Sequence, residues 1–181
     1  MKKSLTSATL LCALAPLPAL VPAALGQGML GSTLHYSFMF PDTSTEFDTP
    51  AGPADYLITS AVEVPIDFFN RYSIDVTDTQ IIMTMLTGGS WTPAAFNGVV
   101  WSDITNNLGA ITAVTVDPST NYFGFAPSRV TFTADSIAIN MQDLEGSIGS
   151  HIVLNVTVAP SPAAAALLGV GGLTTMRRRR R

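Results

Sequence analysis

Alternation of apolar and polar residues dominates the sequence between positions 27 and 159, and no segment keeps a helical spacing. Such alternation puts one set of side chains on one face of a strand, so it predicts half-buried β-strands. The predicted strands begin near Leu34, Tyr56, Tyr72, Gln80, Val99, Ile111, Tyr122, Val130 and Ile152. Gly, Pro, Asn and Asp residues separate them, as is typical of turns.

These runs predict eight or nine strands within one domain. The run at Tyr56 is predicted to continue through Val62 and Val64 and to stop at Pro65. Short helical turns are predicted at residues 65–70 and 92–96. Strands at about 8–15-residue spacing with such turns are typical of sandwiches and jelly rolls. We therefore expect an all-β fold, a single antiparallel, jelly-roll-like β-sandwich over residues 27–159.

The N-terminal segment has the pattern of a secretory signal peptide. Two lysines are followed by an uncharged apolar stretch over residues 5–25. Ala24 and Gly26 place small residues at the −3 and −1 positions before Gln27. The pattern predicts that residues 1–26 are cleaved off between Gly26 and Gln27. Three prolines inside the apolar stretch oppose the alternative, a retained membrane-spanning helix.

The C-terminal segment combines a proline motif, an apolar run and a basic end. Pro160, Ser161 and Pro162 precede an apolar run over residues 163–176. The basic end consists of Arg177, Arg178, Arg179, Arg180 and Arg181. A helix over the apolar run would span about 21 Å, whereas a bilayer core needs about 30 Å. The arginines stay on the cytoplasmic side of a membrane, so the run predicts a short and weak anchor.

Residues 160–181 resemble the PEP-CTERM sorting domain of exported bacterial proteins. Ser161 stands where that family usually has a glutamate. The resemblance implies export through the secretion translocon, transient insertion in the inner membrane, and processing by an exosortase. The mature protein would then lie at the cell surface or outside the cell. Residues 88–98 and 128–140 also resemble segments of short PEP-CTERM proteins that have no assigned activity.

The charge distribution separates the body from the two ends. The chain has 181 residues, of which 47% are hydrophobic and 12% charged, so a buried core is expected. Of nine Lys and Arg, only Arg71 and Arg129 lie between residues 27 and 159, with all thirteen Asp and Glu. The body therefore carries 2 − 13 = −11 formal charges. Phosphate binding needs a basic surface, so we expect no nucleic-acid partner. We consider an exopolysaccharide, rather than a nucleic acid, as the partner of the exported protein.

The sequence offers few candidates for catalysis. His35 and His151 are the two histidines, and either could act as a base in a glycan or ester hydrolase, as could a pair of carboxylates. Residues 88–92 do not complete a Gly-x-Ser-x-Gly motif. The sole cysteine, Cys12, lies in the predicted signal peptide, so no thiolate metal site is expected. We expect no enzyme activity, no catalytic residue and no cofactor. Loop carboxylates could hold Ca²⁺, but none has EF-hand spacing, so calcium is not assigned.

The two tryptophans give a second hypothesis. Trp91 lies in a Gly/Ser/Thr/Pro segment, and Trp101 lies in a predicted strand. An exposed loop aromatic can stack on a sugar ring, so Trp91 is the candidate glycan contact. The alternative is that Trp91 closes one end of the core. The first interpretation is therefore a non-catalytic exported surface or matrix protein, the second a secreted carbohydrate-binding module, and the third a hydrolase.

Overall fold

The structure, a computed structural model, describes residues 28–159. The predicted signal peptide (residues 1–26), its cleavage point at Gly26 and Gln27, and the predicted sorting signal (residues 160–181) lie outside the described residues.

Within the described range the chain forms thirteen strands and one short 3-10 turn. The strands are β1 (Thr33–Met39), β2 (Glu46–Phe47), β3 (Ala54–Leu57), β4 (Val64–Asp67), β5 (Tyr72–Val76), β6 (Gln80–Met85), β7 (Gly89–Ser90), β8 (Gly98–Ser102), β9 (Ile111–Val116), β10 (Val130–Phe132), β11 (Ser136–Asn140), β12 (Glu145–Gly146) and β13 (His151–Val158). The 3-10 turn is Pro127–Arg129. The prediction of an all-β fold is confirmed. The prediction of eight or nine strands is too low, in part because β2, β7 and β12 are two residues long, too short to show alternation in the sequence.

The strands form two main antiparallel sheets. Sheet 1 has the order β10-β11-β8-β1, and both β2 and β3 pair with the remaining edge of β1. Sheet 2 has the order β4-β5-β6-β13-β9. A small ribbon joins β7 and β12. Several neighbours, such as β1 with β8 and β6 with β13, are far apart in the sequence.

Both sheets contribute alternate residues to one hydrophobic core. In β1, Leu34, Tyr36 and Phe38 are buried, as the alternation predicts. In β5, Ile74 and Val76 are fully buried. Side chains from the two sheets belong to a single buried cluster, an arrangement consistent with a β-sandwich.

The prediction of one strand from Tyr56 to Val64 is wrong. Tyr56 lies in β3 of sheet 1, whereas Val64 begins β4 of sheet 2. The chain between them crosses from one sheet to the other, and Val62 is 47% exposed. The buried Glu63 carboxylate fixes this crossing because it accepts backbone N–H groups of the crossing segment and of β5. Pro65 lies inside β4, an edge strand, where a missing N–H is tolerated.

Two further local predictions fail. Residues 65–70 and 92–96 form no helical turn; the first segment ends β4 and then turns, and the second is irregular. The short strand predicted at Tyr122 is instead a turn. Tyr122 points into the core, whereas Phe123 is 86% exposed, so the aromatic content of this run does not indicate pairing.

Both ends of the described chain lie at the same end of the body. The backbone N–H of Met29 donates to the carbonyl of Asp78 in the β5–β6 turn. The N–H of Val156, near the C-terminal end of β13, donates to Thr79 in the same turn. We call this the proximal end. The distal end carries the β4–β5 turn (residues 68–71) and the loop at residues 147–150 that leads into β13.

Candidate functional site

An aromatic cluster fills the distal end of the body around Trp91. The rings of Phe38 and Phe68 stack with centroids 4.6 Å apart, and both pack on the indole of Trp91 at 5.9 and 5.6 Å. The guanidinium carbon of Arg71 lies 4.4 Å from the indole centroid. The indole N–H donates to the hydroxyl oxygen of Tyr122 at 2.8 Å. The indole is thus held on several sides and partnered at its polar atom.

Trp91 is only 2% exposed, so the expectation that it contacts a glycan is wrong in its premise. A sugar cannot stack on a ring whose faces are already covered by protein. The alternative given above, a residue that closes the end of the core, describes its position. Trp101 is also buried and packs on Tyr36, with ring centroids 5.1 Å apart.

A pocket of about 130 Å³ lies beside this cluster and opens to solvent. Its lining consists of Phe38, Phe40, Phe47, Phe68, Thr92 and Asn97. Three of the phenylalanines belong to sheet 1: Phe38 lies in β1, Phe40 follows it, and Phe47 lies in β2. The fourth, Phe68, lies in the turn after β4 of sheet 2. We call this site the phenylalanine pocket.

The β4–β5 turn places Phe68 in the lining of the pocket and Phe69 beside Phe68. Phe68, Phe69 and Asn70 have φ angles of 46°, 58° and 62°, in the left-handed region. Phenylalanine rarely adopts this conformation, and it persists where surrounding contacts hold it. Phe68 packs into the cluster, whereas Phe69 is 84% exposed beside it, with ring centroids 5.5 Å apart. Phe47, which also lines the pocket, is 40% exposed.

Asn97, one of the lining residues, has a buried acceptor without a partner among the described residues. Its side chain is 4% exposed, and its Nδ2 donates to the carbonyl of Thr92 at 2.9 Å. Its Oδ1 is buried and has no hydrogen-bond partner among the described residues. Reversing the amide would bring two oxygens together, so the contact with Thr92 fixes the orientation.

The geometry around His35 does not form a nucleophile–base pair. Nδ1 lies 2.6 Å from Oδ1 of Asp55, and Nε2 lies 3.6 Å from Oε1 of Glu46. The hydroxyl of Ser37 donates to Glu46 and is itself buried. Both ring nitrogens therefore face carboxylates, and no serine or threonine hydroxyl within the described chain is hydrogen-bonded to them. In His151, Nε2 lies 2.9 Å from the carbonyl oxygen of Ser119.

Two carboxylates of the body, those of Asp42 and Asp117, accept hydrogen bonds within turns. The Ser44 hydroxyl, which donates to Asp42, lowers the pKa of that carboxyl, and the Ser119 backbone N–H lowers the pKa of Asp117. Across residues 28–159, no three or more His, Cys, Asp and Glu side chains are grouped so that they could hold a metal ion. In the same range, no helix has the length and apolarity needed to cross a bilayer.

One buried acid lies between the sheets, and no sequence pattern indicated it. Asp67, at the end of β4, accepts hydrogen bonds from the hydroxyls of Tyr36 (2.5 Å) and Thr49 (2.8 Å) and from the N–H of Ala51 (3.1 Å). The hydroxyl of Tyr72 adjoins the hydroxyl of Tyr36 and the carboxylate of Asp67, and burial raises the pKa of both tyrosines. The network is fully partnered and enclosed, so its role is structural.

Comparisons of the chain with protein families, with curated proteins and with solved structures give no match.

Proposed function

We propose that this protein is an exported cell-surface or extracellular-matrix protein without catalytic activity. Its body would be a single jelly-roll-like β-sandwich, preceded by a cleaved signal peptide (residues 1–26) and followed by a PEP-CTERM-like sorting signal (residues 160–181). The sequence patterns at the two ends support export and sorting. The strongly acidic body supports a location away from nucleic acids.

The position of the chain ends is the structural observation that carries the proposal. β13 runs from the distal end to the proximal end, and the chain leaves the described body at Ala159. A tail that begins at Pro160 would therefore hold the proximal end towards the membrane. The distal end, with the phenylalanine pocket, would face outward. A body with this polarity suits a protein that is anchored briefly and then released.

The surroundings of the other candidate residues favour this proposal over the alternatives. His35 faces two carboxylates rather than a hydroxyl, which gives no support to a hydrolase. The burial of Trp91 removes the residue on which the carbohydrate-binding hypothesis was built. The secretion translocon and an exosortase are the partners proposed during export. An exopolysaccharide is the partner proposed for the mature protein outside the cell.

Mass spectrometry of the exported protein from a host with an exosortase tests both ends at once. We expect a mature form that begins at Gln27 and lacks the five terminal arginines. A variant with Arg177 to Arg181 replaced by serines should show less membrane retention before processing, because the arginines resist translocation. Ser161→Glu, which introduces the family's usual residue, is the matched control and should be processed at least as well as the natural chain.

Two outcomes would contradict the proposal. A chain that remains in the cytoplasm with Met1 intact would overturn export. A mature form that ends at Arg181, while Ser161→Glu is cleaved in the same host, would show that Pro160-Ser161-Pro162 is not a processing signal and that the tail is only an anchor.

A further inference from the structure

We propose that the outer edge of β9 pairs with the same edge of a second copy of this chain. The two copies of sheet 2 would join antiparallel about a two-fold axis at Thr115, in the middle of the free part of β9. The product is a symmetric dimer with one continuous sheet. This association does not require the export proposed above.

Half of the backbone groups of β9 point away from its sheet. β9 is the last strand of sheet 2 and pairs on one side only, with β13. The N–H of Asp117 donates to the carbonyl of Val153, so the odd-numbered residues of β9 are the hydrogen-bonded positions of this ladder. The N–H and C=O groups of Val114 and Val116 therefore point outward, where only an extended strand can pair with all of them.

The other edges of the two sheets carry features that oppose pairing. β4 contains Pro65, and β10 is three residues long and follows Arg129. The remaining edge of sheet 1 is divided between β2 and β3, which contain Glu46 and Asp55. Prolines, charges and short strands are common means by which an edge avoids another chain. Within residues 28–159, β9 is the edge strand that has six residues and neither a charge nor a proline.

Two neighbouring features limit the free part of this edge to residues 113–117. At its start, the N–H of Ile111 donates to the carbonyl of Ala134, and the register shifts at Thr112. At its end, the chain turns after Asp117, whose carbonyl accepts the N–H of Thr120. The extended part that remains is five residues long, about the length of an ordinary strand.

This segment is complementary to itself. In an antiparallel pair centred on Thr115, Val114 of each copy lies opposite Val116 of the other, and about four interchain hydrogen bonds join the outward backbone groups. The two Thr115 side chains, which are exposed, face each other in a favourable cross-strand pair. Asp117 lies opposite Ala113 of the other copy. No carboxylate thus faces another carboxylate across the axis.

The charge of the body favours this edge as the contact between two copies. Each body carries a net formal charge of 2 − 13 = −11, so two copies repel unless they meet where carboxylates are few. A single five-residue ladder is a small interface, which predicts a reversible dimer rather than a permanent one. Because salt screens the repulsion between the acidic bodies, association should increase with ionic strength.

A single cysteine tests the position of the axis. The variants are made in the exported protein with Cys12→Ser, so that no other thiol is present whether or not the signal peptide is removed. Across the axis, the Cα atoms of the two residues at position 115 should lie about 4.5 Å apart, a separation that a disulfide can span. Thr115→Cys should therefore give a covalent dimer on mild oxidation. Thr157→Cys is the matched control, because it is exposed on the interior strand β13, and it should remain monomeric.

Analytical ultracentrifugation tests the dimer without a crosslink. We expect a monomer–dimer equilibrium whose dimer fraction rises with protein concentration and with salt. Thr115→Lys places two ammonium groups opposite each other and should weaken dimerisation at least tenfold. Thr157→Lys adds the same charge away from the edge and should leave dimerisation unchanged. If Thr115→Lys does not fold, the two cysteine variants still decide.

Four outcomes would overturn the proposal. A monomer at millimolar concentration and high salt would exclude the dimer. Equal crosslinking of Thr115→Cys and Thr157→Cys would show that the contact is not specific to β9. Equal dimer fractions in the natural protein and in a folded Thr115→Lys variant would place the contact elsewhere. Crosslinking of Thr115→Cys to a different protein, without the homodimer, would assign the edge to another partner. None of these outcomes bears on export, which is judged by the two ends of the mature chain.

Discussion

The hydroxyl oxygen of Tyr36 on β1 lies 2.7 Å from the hydroxyl oxygen of Tyr72 on β5, so a hydrogen bond joins the two sheets inside the core. Both side chains are fully buried. The carboxylate of Asp67 completes the network by accepting from Tyr36 at 2.5 Å. A buried polar network stabilises a fold only when its members are partnered, and here it fixes one sheet against the other.

Replacement of Asp67 tests that network. In Asp67→Ala, the hydroxyls of Tyr36 and Thr49 lose their acceptor inside the core. We expect the free energy of unfolding to fall by about 3 kcal/mol or more, measured by urea denaturation. Asp48→Ala, at an exposed carboxylate, is the control and should change it by less than about 0.5 kcal/mol. Equal effects of the two substitutions would show that the network contributes nothing particular.

The same two tyrosines predict a loss of stability in alkali. Burial raises the pKa of Tyr36 and Tyr72 in the folded state, while the pKa of an unfolded tyrosine is about 10. Below that pH both states hold the protons, and the stabilisation is complete. Above it the unfolded chain releases protons that the folded chain retains, so stability falls as pH rises. The slope should be roughly 1.4 kcal/mol per pH unit for each tyrosine.

Denaturant titrations from pH 8 to 12, with tyrosinate absorbance followed in parallel, measure that slope. The double variant Tyr36→Phe, Tyr72→Phe should have a shallower slope, whatever its stability at neutral pH. An unchanged slope would mean that these hydroxyls titrate normally in the folded protein.

A glycine in β8 tests the pairing of β8 with β11. A Cβ added at Gly98 would lie 1.9 Å from the carbonyl oxygen of Ile139, which is backbone and cannot rotate away. Gly98→Ala should therefore destabilise the protein by about 3 kcal/mol or more in thermal unfolding. Gly88→Ala is the matched control, because its nearest contact is 3.4 Å, and it should cost less than about 1 kcal/mol. A tolerated Gly98→Ala would contradict the observed register.

Strands with strict alternation could be predicted from the sequence, because a strand that buries one face has apolar residues at every second position. Tyr36 and Ile74 illustrate this, since both are fully buried. The segment from Tyr56 to Val64 has the same alternation but crosses between the sheets. A local pattern reports which residues are apolar and not which strand lies beside them, and the hydrogen bonds of Glu63 that fix the crossing have no spacing signature.

The candidate site could not be predicted for a related reason. Phe47, Phe68 and Asn97 are brought together by sheet topology, and no motif connects them in the sequence. The residue types around Trp91 indicate a loop, but they do not show whether its ring points into the core or into solvent. The one usable signal was the pair Phe68 and Phe69 before Asn70, where two large aromatics enter a turn.

The interior position of β13 has a mechanical consequence. The tail continues directly from this strand, and β6 and β9 pair with it on either side. A pull between the tail and a ligand at the distal end would act along the axis of β13, across hydrogen bonds that lie perpendicular to it. Two ladders would then share the load and would have to rupture together rather than one bond at a time. The strand that precedes the predicted sorting signal would thus be the one best placed to resist shear.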